Sequence, residues 1–141
     1  MKEIKGSVEI DAPVGKVWGV LTDFGAYPGW NPFIVKMVGE PKPGSGLDVT
    51  IKSTKGKETN FKSKVAKAEE NKVLLLDSTV IKGMLKDTHQ FVLEPIGANR
   101  TRFSQSVVFK GLMQPLVGGT IKDAQKGLDQ MNEAMKSRCS K

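Results

Sequence analysis

Between Phe33 and Lys110 the chain repeatedly alternates inward and outward residues, breaks at a short turn, and resumes. It then ends in one long amphipathic stretch. This order limits the fold more than any other feature. The strand candidates are Phe33–Val38, Leu47–Lys52, Glu58–Ala68, Val73–Val80, Asp87–Pro95 and Thr101–Lys110. The breaks are Pro41-Lys42-Pro43-Gly44-Ser45-Gly46, Thr54-Lys55-Gly56-Lys57, Asn71-Lys72, the Ile81–Lys86 loop around Gly83, and Gly97-Ala98-Asn99-Arg100. Links this short join antiparallel neighbours, so the six strands read as a meander. Phe61, Ser63 and Val65 fall on one face of their strand, and Asn60, Lys62 and Lys64 on the other. Such alternation implies one buried sheet face and one wet face.

Upstream, Lys2–Ile10 reads as a seventh strand with Ile4, Gly6, Val8 and Ile10 on one side. Asp11 to Ile34 links it to the meander and holds both tryptophans, the only tyrosine and two of the six phenylalanines. Asp11 ends the strand and suits a helix cap, with Pro13 in the first turn. Val14, Val17, Trp18 and Leu21 then follow at helical spacing. Thr22-Asp23 breaks that helix and suits the cap of a second short one, Phe24–Gly29. Asn31-Pro32 stops it, since a residue before proline is pushed out of helical angles. Downstream, Gly111–Gly119 holds three glycines and Pro115 and reads as a connector, with Leu112, Met113, Leu116 and Val117 as its apolar members. A helix is expected from about Thr120 to Arg138, with Ile121, Ala124, Leu128, Met131 and Met135 as its apolar stripe. Only this helix is long enough to cover the buried sheet face. The chain therefore reads as one α+β domain over residues 1–141: a bent seven-stranded antiparallel sheet around a C-terminal helix, with two short helices between the first two strands.

Composition narrows the function. The net charge is +7, yet the lysines are scattered and only Arg100, Arg102 and Arg138 are arginines. Sequence-specific nucleic-acid binding leans on arginine forks and clustered basic stripes, so a solvated lysine face is the better reading. Lys52, Lys62 and Lys64 form a basic outer sheet face, for which weak contact with an anionic membrane surface is the minor use. Met1–Val8 is charged and lacks a secretory apolar region, and no apolar run approaches the roughly 20 residues that span a bilayer. A single cysteine, Cys139, forms no internal disulfide. These features suit a cytoplasmic protein in a reducing compartment.

One histidine and one cysteine make no recognisable metal set, and no phosphate-cradling glycine motif or hydrolase triad occurs, so neither metal nor cofactor is expected. His89 is the first candidate acid or base. Alternation puts it on the apolar face with Phe91 and Leu93; Asp87 shares that face at the strand entrance, and Glu94 lies on the other. No orienting partner is visible, so His89 reads first as a structural or pocket-lining residue and only second as a catalyst. Gln105 sits inward between Phe103 and Val107. It must bond either to a ligand or to His89 on the neighbouring strand, because leaving it unpaired costs roughly 1–3 kcal/mol.

The pattern Asp11-Ala12-Pro13, Val17-Trp18, Leu21-Thr22-Asp23-Phe24, Tyr27-Pro28 and Trp30-Asn31-Pro32-Phe33-Ile34 resembles the opening of the START-like, or SRPBCC, superfamily. It is most similar to the polyketide cyclase/dehydrase group. The resemblance continues through His89-Gln90-Phe91-Val92-Leu93-Glu94-Pro95, Thr101-Arg102-Phe103 and Phe109-Lys110-Gly111. It implies the helix-grip fold and an apolar ligand held between sheet and C-terminal helix. The expected lining is Trp30, Phe33, Phe61, His89, Phe91, Phe103, Gln105, Val107, Phe109, Met113, Leu128, Met131 and Met135; a filled core is the competing expectation. Three functions are open: binding or carriage of a small apolar or aromatic molecule, which is preferred; a cyclase or dehydrase with His89 and Gln105 positioning substrate; and a protein-interaction module with a collapsed core and an exposed apolar or basic patch.

Overall fold

The computed structural model describes residues 2–81, 85–111 and 114–140; for residues 2, 80, 81, 85 and 114–120 the description is limited to the backbone. The elements are β1 (Lys2–Ile10), α1 (Val14–Thr22), a 3-10 helix (Phe24–Gly29), β2 (Ile34–Val38), β3 (Gly46–Lys52), β4 (Glu58–Glu69), β5 (Val73–Ile81), β6 (Leu85–Gly97), β7 (Arg100–Gly111) and α2 (Gln114–Cys139). The strands form one seven-stranded antiparallel sheet in the order β1-β7-β6-β5-β4-β3-β2. The meander expected from the short turns is therefore present, and the fold is the α+β helix-grip arrangement. β1 closes the far edge, running from Lys2↔Phe109 to Ile10↔Thr101.

The inner sheet face and the helices share one core. Ile10, Phe91, Phe103 and Leu74 come from the sheet, Val17 and Leu21 from α1, and Leu128, Met131 and Met135 from α2. All five residues of the expected apolar stripe on α2 are buried. Each large side chain taken fully out of water contributes about 1.5–3 kcal/mol. The helix approaches β1 closely at Gly6, where an added Cβ would lie 3.0 Å from the Asp129 Oδ1 atom and 3.1 Å from Leu128. A larger residue would hold strand and helix apart there.

Several local expectations change. The Asp11 carboxylate does not cap α1, which has no side-chain cap. It lies 3.3 Å from the Arg100 Nε atom, across the β1–β7 edge. A nearby cation attracts a carboxylate more strongly than a neutral amide does. Asp23 occupies the N-cap of the second helix but makes no side-chain cap bond there, and the Thr22 hydroxyl donates backward to the Trp18 carbonyl at 2.8 Å. The helix Phe24–Gly29 has the tighter 3-10 winding, which suits a short piece containing Pro28. At the C-terminal end, α2 begins at Gln114 rather than near Thr120, so most of the expected connector is helical. Pro115 falls in the first turn, where its missing N–H has no intrahelical partner to lose. The glycines there cost about 1 kcal/mol each, which a 26-residue helix tolerates. Met113, Leu112 and the middle of the Gly83 loop lie outside the described residues.

Candidate functional site

Strand alternation aims Ser63 of β4, Leu76 and Ser78 of β5, Asp87 and His89 of β6, and Val107 and Phe109 of β7 toward α2. Register then aligns them in rows. Ser63 stands opposite Ser78, Ser78 opposite Asp87, and Asp87 opposite Phe109. The next row runs Val65, Leu76, His89, Val107 and Ile4. Between this wall and α2 is a cavity of about 70 Å³. Phe33, Ile34, Met37, Val49, Ile51 and Phe61 form another side of it, and Ile121 and Ala124 of α2 form its roof. The polar groups on the wall are Ser63, Ser78, Asp87 and His89; everything else is apolar. The volume holds a few waters, well below the roughly 300–1,000 Å³ of typical ligand pockets.

The polar wall has defined chemistry. The Ser63 and Ser78 hydroxyls hydrogen-bond to each other. Burial pushes the Asp87 carboxyl up to about 7; the Ser78 hydroxyl opposes the rise and the Asp77 charge adds to it. Its proton is therefore half occupied near neutral pH. His89 stacks on Phe91 with ring centroids 4.1 Å apart. Its Nε2 is 2.8 Å from the Gln105 Oε1 atom, and the Gln105 Nε2 atom donates to the Asn132 Oδ1 atom, also at 2.8 Å. With its amide nitrogen committed to Asn132, Gln105 offers His89 only an acceptor. His89 therefore carries its proton on Nε2. Burial lowers its pKa to about 4, against the opposing pull of Gln105, so the ring is neutral at neutral pH. Its Nδ1 atom has no hydrogen-bond partner among the described residues and keeps its lone pair.

Of the residues expected to line the chamber, Phe33, Phe61, His89, Val107 and Phe109 do so. Phe91, Phe103, Leu128, Met131 and Met135 are buried in the core beyond the cavity wall. Gln105 is buried and bonded to His89, the second of the two uses its position allowed. Trp30 packs edge-on against Tyr27 with ring centroids 5.3 Å apart, away from the cavity lining. Tyr27 donates its hydroxyl to the Leu21 carbonyl, and Asn31 accepts the amides of Phe33 and Ile34 at 3.0 and 2.9 Å. The Asp11–Ile34 segment thus sets the angle at which Phe33 enters the site. Met113 is outside the described residues. Sequence reasoning did not single out Ser78 or Asn132 and gave Asp87 no site role. Period-two alternation could have found Asp87 and Ser78, but Asn132 depends on how α2 is rotated.

Phe33 owes its place to Gly127. A Cβ at Gly127 would lie 2.4 Å from the ring, so only glycine lets the ring rest against the helix backbone. Among the described residues no group of three or more His, Cys, Asp or Glu side chains could hold a metal ion, and no helix is long and apolar enough to cross a membrane.

Comparison with known proteins agrees with this fold. The family model described as polyketide cyclase/dehydrase and lipid transport matches residues 1–139. Among curated proteins there is no significant sequence match. A START superfamily protein from Mycobacterium smegmatis superposes with a TM-score of 0.81 at 22% identity, over 98% of this chain and 97% of that one. The Zhui aromatase/cyclase from Streptomyces sp. R1128 gives 0.82 at 13% identity, over 99% and 93%. A norcoclaurine synthase point mutant from Thalictrum flavum, in complex with a transition-state analogue, gives 0.75 at 16%, over 99% and 94%. At these identities the likeness is one of fold.

Proposed function

The chain belongs to the polyketide cyclase/dehydrase and lipid-transport family, and from that premise we propose that it binds or carries a small hydrophobic ligand, of lipid, quinone, polyketide or aromatic type, between the sheet and α2. The observation that carries this reading is the cavity: an apolar space with its polar groups gathered on one wall. That is the usual layout of a small-molecule site, where apolar surface gives affinity and a few polar groups set orientation. The Nδ1 atom of His89 would accept a ligand hydroxyl, and the Asp87 carboxyl, partly protonated, would donate to a carbonyl. At about 70 Å³ the cavity takes a ligand of useful size only when a wall moves. Phe33 is the candidate, since its ring lines the cavity and lies against the Gly127 backbone of α2. The free Cys139, buried at the end of α2, suits a reducing, cytoplasmic setting.

The expected result is fluorescence enhancement of an environment-sensitive dye, with displacement by apolar competitors and co-purified apolar species in native mass spectrometry. Val107→Phe, which fills the cavity, should lower dye uptake at least several-fold. Uptake unaffected by Val107→Phe and by every lipid, quinone and aromatic competitor would sink the proposal.

A second reading, a cyclase- or dehydrase-type enzyme using the same chamber, draws on Asp87. Its pKa of about 7 is matched to proton transfer near neutral pH, as a general acid requires. Asp87→Asn should then abolish turnover of a polyketide-like substrate while keeping its binding. The interaction-module reading calls for an exposed apolar or basic patch. Among the described residues Val38 is the one large hydrophobic side chain exposed, too little for an apolar docking face.

A further inference from the structure

An open groove of about 670 Å³ lies beside the chamber, between the β3–β4 turn and α2. Its floor includes Phe33, Ile51 and Ala124, which also line the chamber. One layer of side chains thus separates the two spaces. The rim is strongly cationic: Lys52, Lys55 and Lys57 come from the turn side, and Lys122 and Lys126 from the helix. Asp123 is the sole acidic residue lining the groove, and it is already engaged. It accepts the Thr54 hydroxyl and the Thr54 amide, the latter at 3.0 Å; these bonds, with smaller help from the Lys126 and Lys55 charges, hold its carboxyl below the ordinary range.

No ion pair within 4.0 Å joins any of these five lysines to a carboxylate among the described residues. Glu58 faces Lys52 in register across the hairpin, yet forms no such pair. Lys122 and Lys126 are four apart on one helix, a like-charge spacing that destabilises a helix. By contrast, Lys62 on the outer sheet face is paired with Asp48 at 3.3 Å. Five lysines without a carboxylate partner within 4.0 Å therefore gather at the rim of the chamber.

We propose that this groove holds the anionic head of an amphiphile whose apolar body lies in the chamber, with the Phe33 ring as the movable partition. The proposal rests on the reading of the chamber as a ligand site and adds a charge requirement. The rim charges are all lysine ammonium groups, flexible point charges that attract an anionic head without the bidentate fork of an arginine.

The test is calorimetric titration of the intact protein with decanoate, decanol and decyltrimethylammonium, three probes with the same chain and a negative, neutral or positive head. Decanoate should bind about tenfold more tightly than decanol at low salt, as a few exposed charge contacts would give. The margin should shrink in 0.5 M salt, and the cationic probe should bind more weakly than decanol. The double variant Lys122→Gln/Lys126→Gln should bring decanoate toward decanol. Equal affinity for decanoate and decanol would overturn the charge requirement and leave the chamber reading standing. Failure of all three probes to bind would overturn both.

Discussion

At the scale of single residues, His89 and Asp87 dominate, and their effects on stability oppose each other. The folded chain keeps His89 unprotonated down to about pH 4, whereas the unfolded chain protonates it near 6.5. Acid therefore favours unfolding across that window, and this contribution to stability rises with pH. Asp87 behaves in the opposite sense. The unfolded chain loses its proton near 3.8 while the folded chain keeps it to about 7, so this contribution falls as pH rises. Each slope approaches about 1.4 kcal/mol per pH unit, and the two nearly cancel between pH 4 and 6.5. Urea-unfolding free energies of the wild type should accordingly be nearly flat there from these two groups. Asp87→Asn should expose a rising slope, and His89→Gln a falling one. Parallel pH profiles for all three proteins would contradict the burial of this pair. Strand alternation placed both residues inward in the sequence. Their shifted protonation follows from burial among four strands and a helix, which no local pattern encodes.

At the scale of elements, α2 is joined to the sheet by a buried polar link, by the Gln125 amide bonded to the Lys5 backbone of β1, and by two glycine approaches. His89, Gln105 and Asn132 connect β6, β7 and α2 through two buried hydrogen bonds. Gln105→Leu removes both and leaves the His89 Nε2–H and the Asn132 carbonyl without partners. Chemical denaturation should show a loss of about 1–3 kcal/mol for each stranded group. Gly127→Ala presses a methyl group into the Phe33 ring and should cost about 1–3 kcal/mol, as overpacking does. It should also alter ligand uptake, because Phe33 borders both the chamber and the groove. An unchanged unfolding midpoint in either variant would mean the helix does not sit as described. The apolar stripe from Ile121 to Met135 was legible at three- and four-residue spacing. The importance of Gly127 was not, because a glycine inside a helix looks the same whether it is incidental or required by a ring packed above it. The early start of α2 at Gln114 was hidden for a related reason: three glycines and a proline weaken local helix preference, and propensity is only a weak prior.

At the scale of the whole molecule, the sheet is closed by its most distant pair. β1 and β7 join residues 2–10 to residues 101–109, so the last edge forms across nearly the full chain. Ordering so long a loop before its contacts form makes folding slow. Refolding followed by Trp18 and Trp30 fluorescence should occupy milliseconds to seconds, and complete recovery within microseconds would be inconsistent with this topology. The wet outer edge of that pair carries a small charge network. Arg100 contacts Glu9 at 3.0 Å, and Arg102 contacts Glu94 at 2.7 Å. Two of the three arginines thus serve the sheet surface rather than a nucleic-acid face.

The amino-acid sequence by itself determined the number and order of strands, the antiparallel meander and the apolar face of the last helix. All of these follow from short-range rules: period-two alternation, period-3.6 spacing and turn chemistry. It also placed His89 and Gln105 on the inner face and left open whether they would meet. Tertiary structure decided that they do, because β6 and β7 pair in a register that sets His89 diagonally across from Gln105. Register likewise gathered Ser63, Ser78 and Asp87 from three strands into one wall. The rotation of α2 set Gly127 beneath Phe33 and turned Lys122 and Lys126 toward the β3–β4 turn. These are relations between residues far apart in the chain, fixed by how the sheet curls onto the helix, and they make one side of an apolar core into a site.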